Sequence, residues 1–497
     1  MAMLPVLRAN ALVVHVFVAV NGDQRPADLR YLLGVWQACS KTLGMTEAVA
    51  GFTVDPEPGW DAVTGAPSGV LAARTRPGAG VHQAVLRREH DAFCLSIMRE
   101  PDPAEGLGWV ELDQEWAVTV GQPSPGVIGA ARLFLTRLAD PAAAPAPSAE
   151  LGSVVQAMAP VNPAATGQWR EQGIVVPHGF AVWEASAPLD SRAERRIVVV
   201  AGADCDCELS AWAWIDADRA LPVFGKYLLH AAKLRYQLRV WEADQGFRQL
   251  RQEADTTIRK LLSIVAPVSP QRREPRQAQL VEASKALVSL QARELGLVDR
   301  STRLREMRRS VEIAAANLLA LSGDARLGGL FADDRALATW FGQQLDDDAT
   351  YLEAALHRSK QVNAWTDQLV QRSQQRRQES VNLGLTGVIG AILMSLAAIQ
   401  SLQYTVPLPA LAKPAVVTAL GALALFASLV VLRIVVPDRR WSLMLAQAGF
   451  GGITATLTWV GVSAIAGLVA PDWTRLWVGV GFLVGTSVAV ITTRLRQ

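Results

Sequence analysis

Four uncharged stretches, residues 381–403, 415–432, 441–470 and 476–493, fill the last quarter of this 497-residue chain. A helix needs about 20 apolar residues to cross roughly 30 Å of hydrocarbon, and these runs approach or exceed that length. They predict an all-α membrane domain of four transmembrane helices over residues 381–497, with everything before it in water. Basic pairs then set the topology: Arg376 and Arg377 before the first stretch, Arg439 and Arg440 between the second and third, and Arg494 and Arg496 after the fourth. If the spans alternate, all three pairs fall on one side, which the positive-inside rule makes the cytoplasm. The expectation is a multi-pass protein of the bacterial inner (plasma) membrane with cytoplasmic N- and C-termini. Gly384, Gly387 and Gly390, and then Gly481 and Gly485, would be the transmembrane packing contacts, because small residues let helices approach closely.

Residues 1–222 have a different texture. Short Val-rich segments at 11–20, 81–88, 92–98, 174–184 and 196–201, bounded by Gly, Pro or Asp, predict strands. Residues 27–43 and 126–138 predict helices. A Pro/Ala linker over 141–147 divides this α/β head into lobes 1–140 and 141–222, although a long excursion within one fold fits the same pattern. The apolar run 11–20 is too short for a signal-peptide core and holds His15, so a buried first strand is predicted instead.

From Val223 the chain turns helical. Of its 26 prolines none falls in 223–266 or 276–406, which predicts long helices. Leu304, Met307, Val311, Ala314, Leu318 and Leu321 alternate spacings of three and four, as do Leu280, Ala283, Leu287 and Leu290. That is a coiled-coil-type seam. Breaks at 267–270 and 322–329 give three long antiparallel helices over 223–380, a stalk whose third helix continues into the first stretch. The seams and the glycine faces predict self-association into a homo-oligomer, with packing of the three helices on one another as the competing explanation. Arg272, Arg273 and Arg276 follow the first break as a basic turn facing the lipid, with a solvated helix start as the other reading.

Composition excludes some functions and motifs exclude others. A net charge of +2 and a pI near 8.4 leave no field to attract nucleic acid. No GxxxxGKS/T, strand–GxGxxG–helix, HExxH or GxSxG motif is present. His90, Asp91 and Cys94 lie within five residues, but Cys94 sits in the apolar run Phe93–Cys94–Leu95, where a structural thiol is expected. Cys205 and Cys207 offer two metal ligands with no second pair at a zinc spacing. The chain is expected to be no enzyme, with no catalytic residues, no metal and no cofactor.

The strings His15–Ala19, Gln83–Met98 and Trp109–Trp116 resemble the caspase- and TPR-repeat-associated proteins of the predicted CATRA conflict systems. The resemblance implies a membrane-anchored signalling or effector component of bacterial immunity, with a caspase-like protease or a repeat protein as partner of the head. It supplies no catalytic residues. An α/β head on a helical stalk is also similar in layout to CorA-type magnesium channels. That family's Gly-Met-Asn after the first span is missing, since the segment reads Gln400-Ser-Leu-Gln-Tyr-Thr-Val-Pro407. An oligomeric ion channel or transporter gated by the head is the alternative expectation.

Overall fold

Strand β1 (Leu7–Ala19) sets the architecture, because every residue from Ala11 to Val18 is buried. A strand apolar on both faces belongs inside a sheet covered by a layer on each side. The other strands are β2 (Glu47–Ala48), β3 (Gly69–Thr75), β4 (Val81–Glu89), β5 (Ala92–Glu100), β6 (Val127–Leu138), β7 (Ile174–Val175), β8 (Ala181–Glu184) and β9 (Glu194–Ala201). They form one sheet in the order β2-β3-β4-β5-β1-β6-β9-β8-β7. Neighbours are antiparallel except β6 and β9, which run parallel with Leu133 opposite Ile197. The computed structural model behind this description covers residues 5–21, 25–54, 57, 65–162, 167–216, 218–244, 246–265, 277–324, 328–404, 417, 420–421, 447, 450–459, 461–462 and 471–494.

The pleat sorts β1 into two cores. Leu12, Val14, Val16 and Val18 meet α1 (Arg25–Lys41), α2 (Trp109–Val120) and α3 (Ala149–Met158) through Trp36, Trp109, Leu112 and Val155. Ala11, Val13 and Phe17 face the opposite layer. There α4 (Asp206–Ala213) and α5 (Val223–Ala243) contribute Trp212, Phe224 and Leu228. Gly129 of β6 lets α5 lie close, since a Cβ there would stand 2.8 Å from that of Ala232. Arg239 of α5 then donates Nη2 to the Val127 and Ile128 carbonyls at 3.0 and 2.8 Å.

Beyond α5 come α6 (Gly246–Val265), α7 (Gln277–Ala292), α8 (Leu297–Ser322) and α9 (Gly329–Tyr404), with α10 (Pro471–Arg494) near the C-terminal end. Among the described residues, region 223–380 therefore holds five helices rather than three. The predicted continuity into 381–403 is present, since α9 is a single helix of 76 residues. The seam residues Leu304, Val311, Ala314 and Leu318 are buried in the same core as Phe224, Leu337 and Phe341. They pack within this chain.

The chain divides into two compact units, Met1–Ile258 with Leu287–Ser359, and Arg259–Ala286 with Lys360–Gln497. The first contains the sheet. In the second, Thr454 donates its hydroxyl to the Gly481 carbonyl at 2.9 Å. Any side chain at Gly481 or Gly485 would overlap Thr458 or Thr454.

Two expectations are corrected. Residues 126–138 are strand β6 and not a helix: the segment lies between β1 and β9 and is buried on both faces, and tertiary pairing overrides its local helical composition. The second correction is larger. Among the described residues, no helix is long and apolar enough to cross a membrane. This overturns the four-span membrane domain and the inner-membrane assignment and leaves the lipid and channel readings without support; most of 415–432 and of 441–470 lies outside the described residues. The 381–403 stretch carries Asn382, Thr386, Gln400 and Gln403 besides its glycines. Arg376 and Arg377 are exposed on α9, and Arg494 closes α10. Arg272, Arg273, Arg276, Arg439, Arg440 and Arg496 lie outside the described residues. Gly384, Gly387 and Gly390 lie in α9, and nothing approaches a Cβ built at Gly390 within 4 Å.

Candidate functional site

Three acidic and basic elements converge on the α5 side of the sheet. Arg195, the second residue of β9, donates Nε and Nη2 to the two oxygens of Glu184 at the end of β8, at 2.9 and 2.5 Å. Its Nη1 reaches Asp334 Oδ2 on α9 at 2.8 Å. Two residues of α5 complete the arrangement. Eight apart, and so about two turns along one helix face, Tyr227 donates its hydroxyl to Asp334 Oδ2 at 2.6 Å and Arg235 Nη2 ion-pairs with Oδ1 at 2.6 Å. Arg192 adds Nε to Glu184 Oε1 at 3.1 Å and Nη1 to the Leu189 carbonyl at 2.8 Å.

The Asp334 side chain is 0% exposed and those of Arg195 and Arg235 are 3% and 2%. Burying an ion costs several kcal/mol unless its partners replace water's hydrogen bonds. Here they do. Burial by itself would raise the Glu184 carboxyl, but Arg195, Arg192 and Arg235 outweigh it and hold the group well below the carboxylate range. Asp334 is lowered in the same way, burial being overcome by Arg195 and Arg235. Burial also opposes the Arg195 charge, yet Asp334 and Glu184 raise it well above its ordinary value. Tyr227 is raised well above its own by burial and by Asp334, so its proton stays in the hydrogen bond. The result is a bracket of fixed charges clamping β8 and β9 to α5 and α9.

Beside the bracket opens a cleft of about 470 Å³. Its lining includes Glu184, Arg192, Asp190 and Asp333 together with the indoles of Trp169 and Trp340. Arg192 already spends its donors on Glu184 and Leu189. Asp333 differs: burial raises its carboxyl, and Glu184 and Asp334 raise it further. The cleft therefore presents carboxylate and aromatic surface, with its guanidinium occupied.

Other polar clusters are paired within the fold, although Arg132 Nε and both Nη atoms of Arg87 are buried without a hydrogen-bond partner among the described residues. On the opposite face Arg132 bonds Asp113 at 2.6 Å and Glu194 at 2.8 Å, tying α2 to β6 and β9. His15 Nε2 lies 3.1 Å from the Ala213 carbonyl, which only accepts, so Nε2 carries the proton and Nδ1 accepts from Ser96 at 2.9 Å. Burial lowers its pKa to about 4. His82 is also lowered to about 4, by burial and then by Arg99 and Arg76.

The residues singled out for chemistry do not assemble. His90 is an exposed turn residue at φ 53°, Asp91 pairs with Lys233 at 2.5 Å, and Cys94 is buried in β5 with its thiol pushed up to about 12. Cys205 precedes α4 and Cys207 is exposed. Asp206 between them pairs with Arg137 at 2.7 Å. No group of His, Cys, Asp and Glu among the described residues is placed to hold a metal ion. Sequence reading passed over the bracket, whose one local signal is the Asp333-Asp334 pair opening α9 just after Gly328-Gly329.

Two family models match the sequence. The caspase and TPR repeat-associated N-terminal domain covers residues 11–217, the sheet with α1 to α4. The corresponding C-terminal domain covers residues 222–359, from α5 into α9. Neither a curated protein nor a solved structure matches the chain. The bracket joins the two domains, since Glu184, Arg192 and Arg195 belong to the first and Tyr227, Arg235 and Asp334 to the second. With both domains present in order across most of its length, the chain belongs to the caspase and TPR repeat-associated family.

Proposed function

We propose that this chain is a non-enzymatic partner-binding component of a caspase- and TPR-associated conflict system. Its two domains associate it with such systems, and the partner we infer is a caspase-like protease or a repeat protein. The observation that carries the reading is the bracket: two domains share one core across fixed charges and leave a preformed cleft at their junction. Rigid, preformed surfaces suit recognition because little ordering entropy is lost on binding. The titratable groups do not favour chemistry. Burial pushes the thiols of Cys39 and Cys94 up to about 12, and His15, His82 and His230 are lowered to about 4. Thiols held as thiols and rings this weakly basic make poor nucleophiles and bases at neutral pH.

The test is affinity purification of the tagged full-length chain from its native host, followed by mass spectrometry and by hydrolase assays on the purified chain. Recovery of a caspase-like or repeat protein in stoichiometric amount is expected. Hydrolase activity intrinsic to the chain, with no protein partner recovered, would replace this reading with an enzymatic one.

A further inference from the structure

Resting on the partner-binding reading, we infer that the cleft between the β8–β9 edge and α9 receives an arginine side chain projecting from a segment of the partner protein. The charges specify the sign of the occupant. Glu184, Asp190, Asp333 and Asp334 face Arg192, Arg195 and Arg235, so four acids stand against three bases. All three bases are engaged within the bracket. Asp190 and Asp333 have no side-chain partner among the described residues, and they are the groups that a ligand would meet. Asp333 gains most from a cation, because Glu184 and Asp334 behind it are themselves carboxylates.

The walls specify the shape. Trp340 is 47% exposed, a large indole left partly in water at the cleft, and Trp169, 9% exposed, also lines it. A flat, weakly hydrated guanidinium can lie on an indole face while its edge forks onto a carboxylate. An ammonium is compact and strongly hydrated, and gains less from such a wall. An anion would meet two unpartnered carboxylates, and an uncharged aliphatic chain would leave both of them desolvated without a partner.

The probes are acetylated, amidated pentapeptides with a central arginine or its uncharged isostere citrulline, titrated into the full-length chain while the tryptophan indole N–H resonances are followed. Arginine should shift the indoles of Trp169 and Trp340, identified by Trp169→Phe and Trp340→Phe, and citrulline should bind at least about tenfold more weakly. Asp333→Asn should weaken the arginine peptide by a similar factor. A fold-neutral control is available in Glu171→Gln, an exposed side chain outside the cleft. Equal binding of the two peptides, or unchanged affinity in Asp333→Asn, would overturn the assignment. Purifying Asp333→Asn from the host separates this inference from the reading beneath it: a partner retained by the variant refutes the cleft as its site, whereas no partner on the unaltered chain refutes partner binding itself.

Discussion

Replacing Asp334 by alanine tests the energetic argument for the bracket. The carboxylate receives Tyr227 at 2.6 Å and Arg195 at 2.8 Å, and pairs with Arg235 at 2.6 Å. Without it, Arg195, 3% exposed, keeps Glu184, whereas Arg235, 2% exposed, is left with the Ala231 carbonyl at 3.3 Å in place of an ion pair. Removing one member of a buried pair costs roughly 3–5 kcal/mol, because the other charge is left uncompensated. The stranded Tyr227 hydroxyl adds about 1 kcal/mol. A loss of roughly 4–6 kcal/mol is comparable to the whole stability of many domains. Urea unfolding of the full-length chain should therefore show an early transition, and hydrogen exchange should locate lost protection in α5, α9 and β9. The compensating variant Asp334→Leu with Arg235→Met removes one charge of each sign, leaves Arg195 on Glu184, and should recover at least half of the loss. A cost for Asp334→Ala below about 1 kcal/mol, the level of an exposed surface pair, would refute the argument, as would a double variant no more stable than the single one.

Three further outcomes are expected. Tyr227→Phe leaves the ion pairs intact and should cost about 1.5–3 kcal/mol in the same urea assay, the worth of a hydrogen bond to a charged acceptor. His15 is neutral when folded because burial holds its pKa at about 4, against about 6.5 unfolded. The unfolded chain thus binds the extra proton, and His15 should withdraw about 3 kcal/mol of stability as pH falls from 6.5 to 4. His15→Gln should flatten that part of the stability profile, and an unchanged slope would contradict the assignment. Cys39 and Cys94 should resist iodoacetamide at neutral pH in the folded chain while exposed Cys207 reacts, as peptide mass spectrometry would read; rapid labelling of Cys94 would contradict its burial.

Local patterns carried much of the secondary structure. Segments 81–88, 92–98 and 196–201 emerge as β4, β5 and β9, and the alternating seams in the Pro-free region emerge as buried helix faces. What stayed hidden depends on distance along the chain. Segment 174–184 is not one strand but the β7–β8 pair, with Gly179 at φ 81° in the turn. Residues 126–138 show their strand character only once β1 and β9 flank them. The Pro/Ala stretch at 141–147 looks like a lobe boundary, yet strands on both sides of it join one sheet through the parallel β6–β9 pair. Asp334 and Arg195 are 139 residues apart, and no local pattern marks either as buried, since charged residues are solvated by default.

The shared core has a consequence for how this gene can be cut and recombined. The face of the sheet bearing Val13, Phe17, Val85 and Ile197 is completed by α5, α8 and α9, which arrive only after residue 222. A ribosome that has released the first 217 residues has made a sheet with much of one oily side uncovered beyond α4 and Arg195 still lacking Asp334. The two matched regions are thus separate pieces of heredity but a single piece of folding. Chimeras that exchange one without the other should accumulate as aggregates, whereas moving residues 7–359 together keeps the strands, helices and charges of that core in register with their complements.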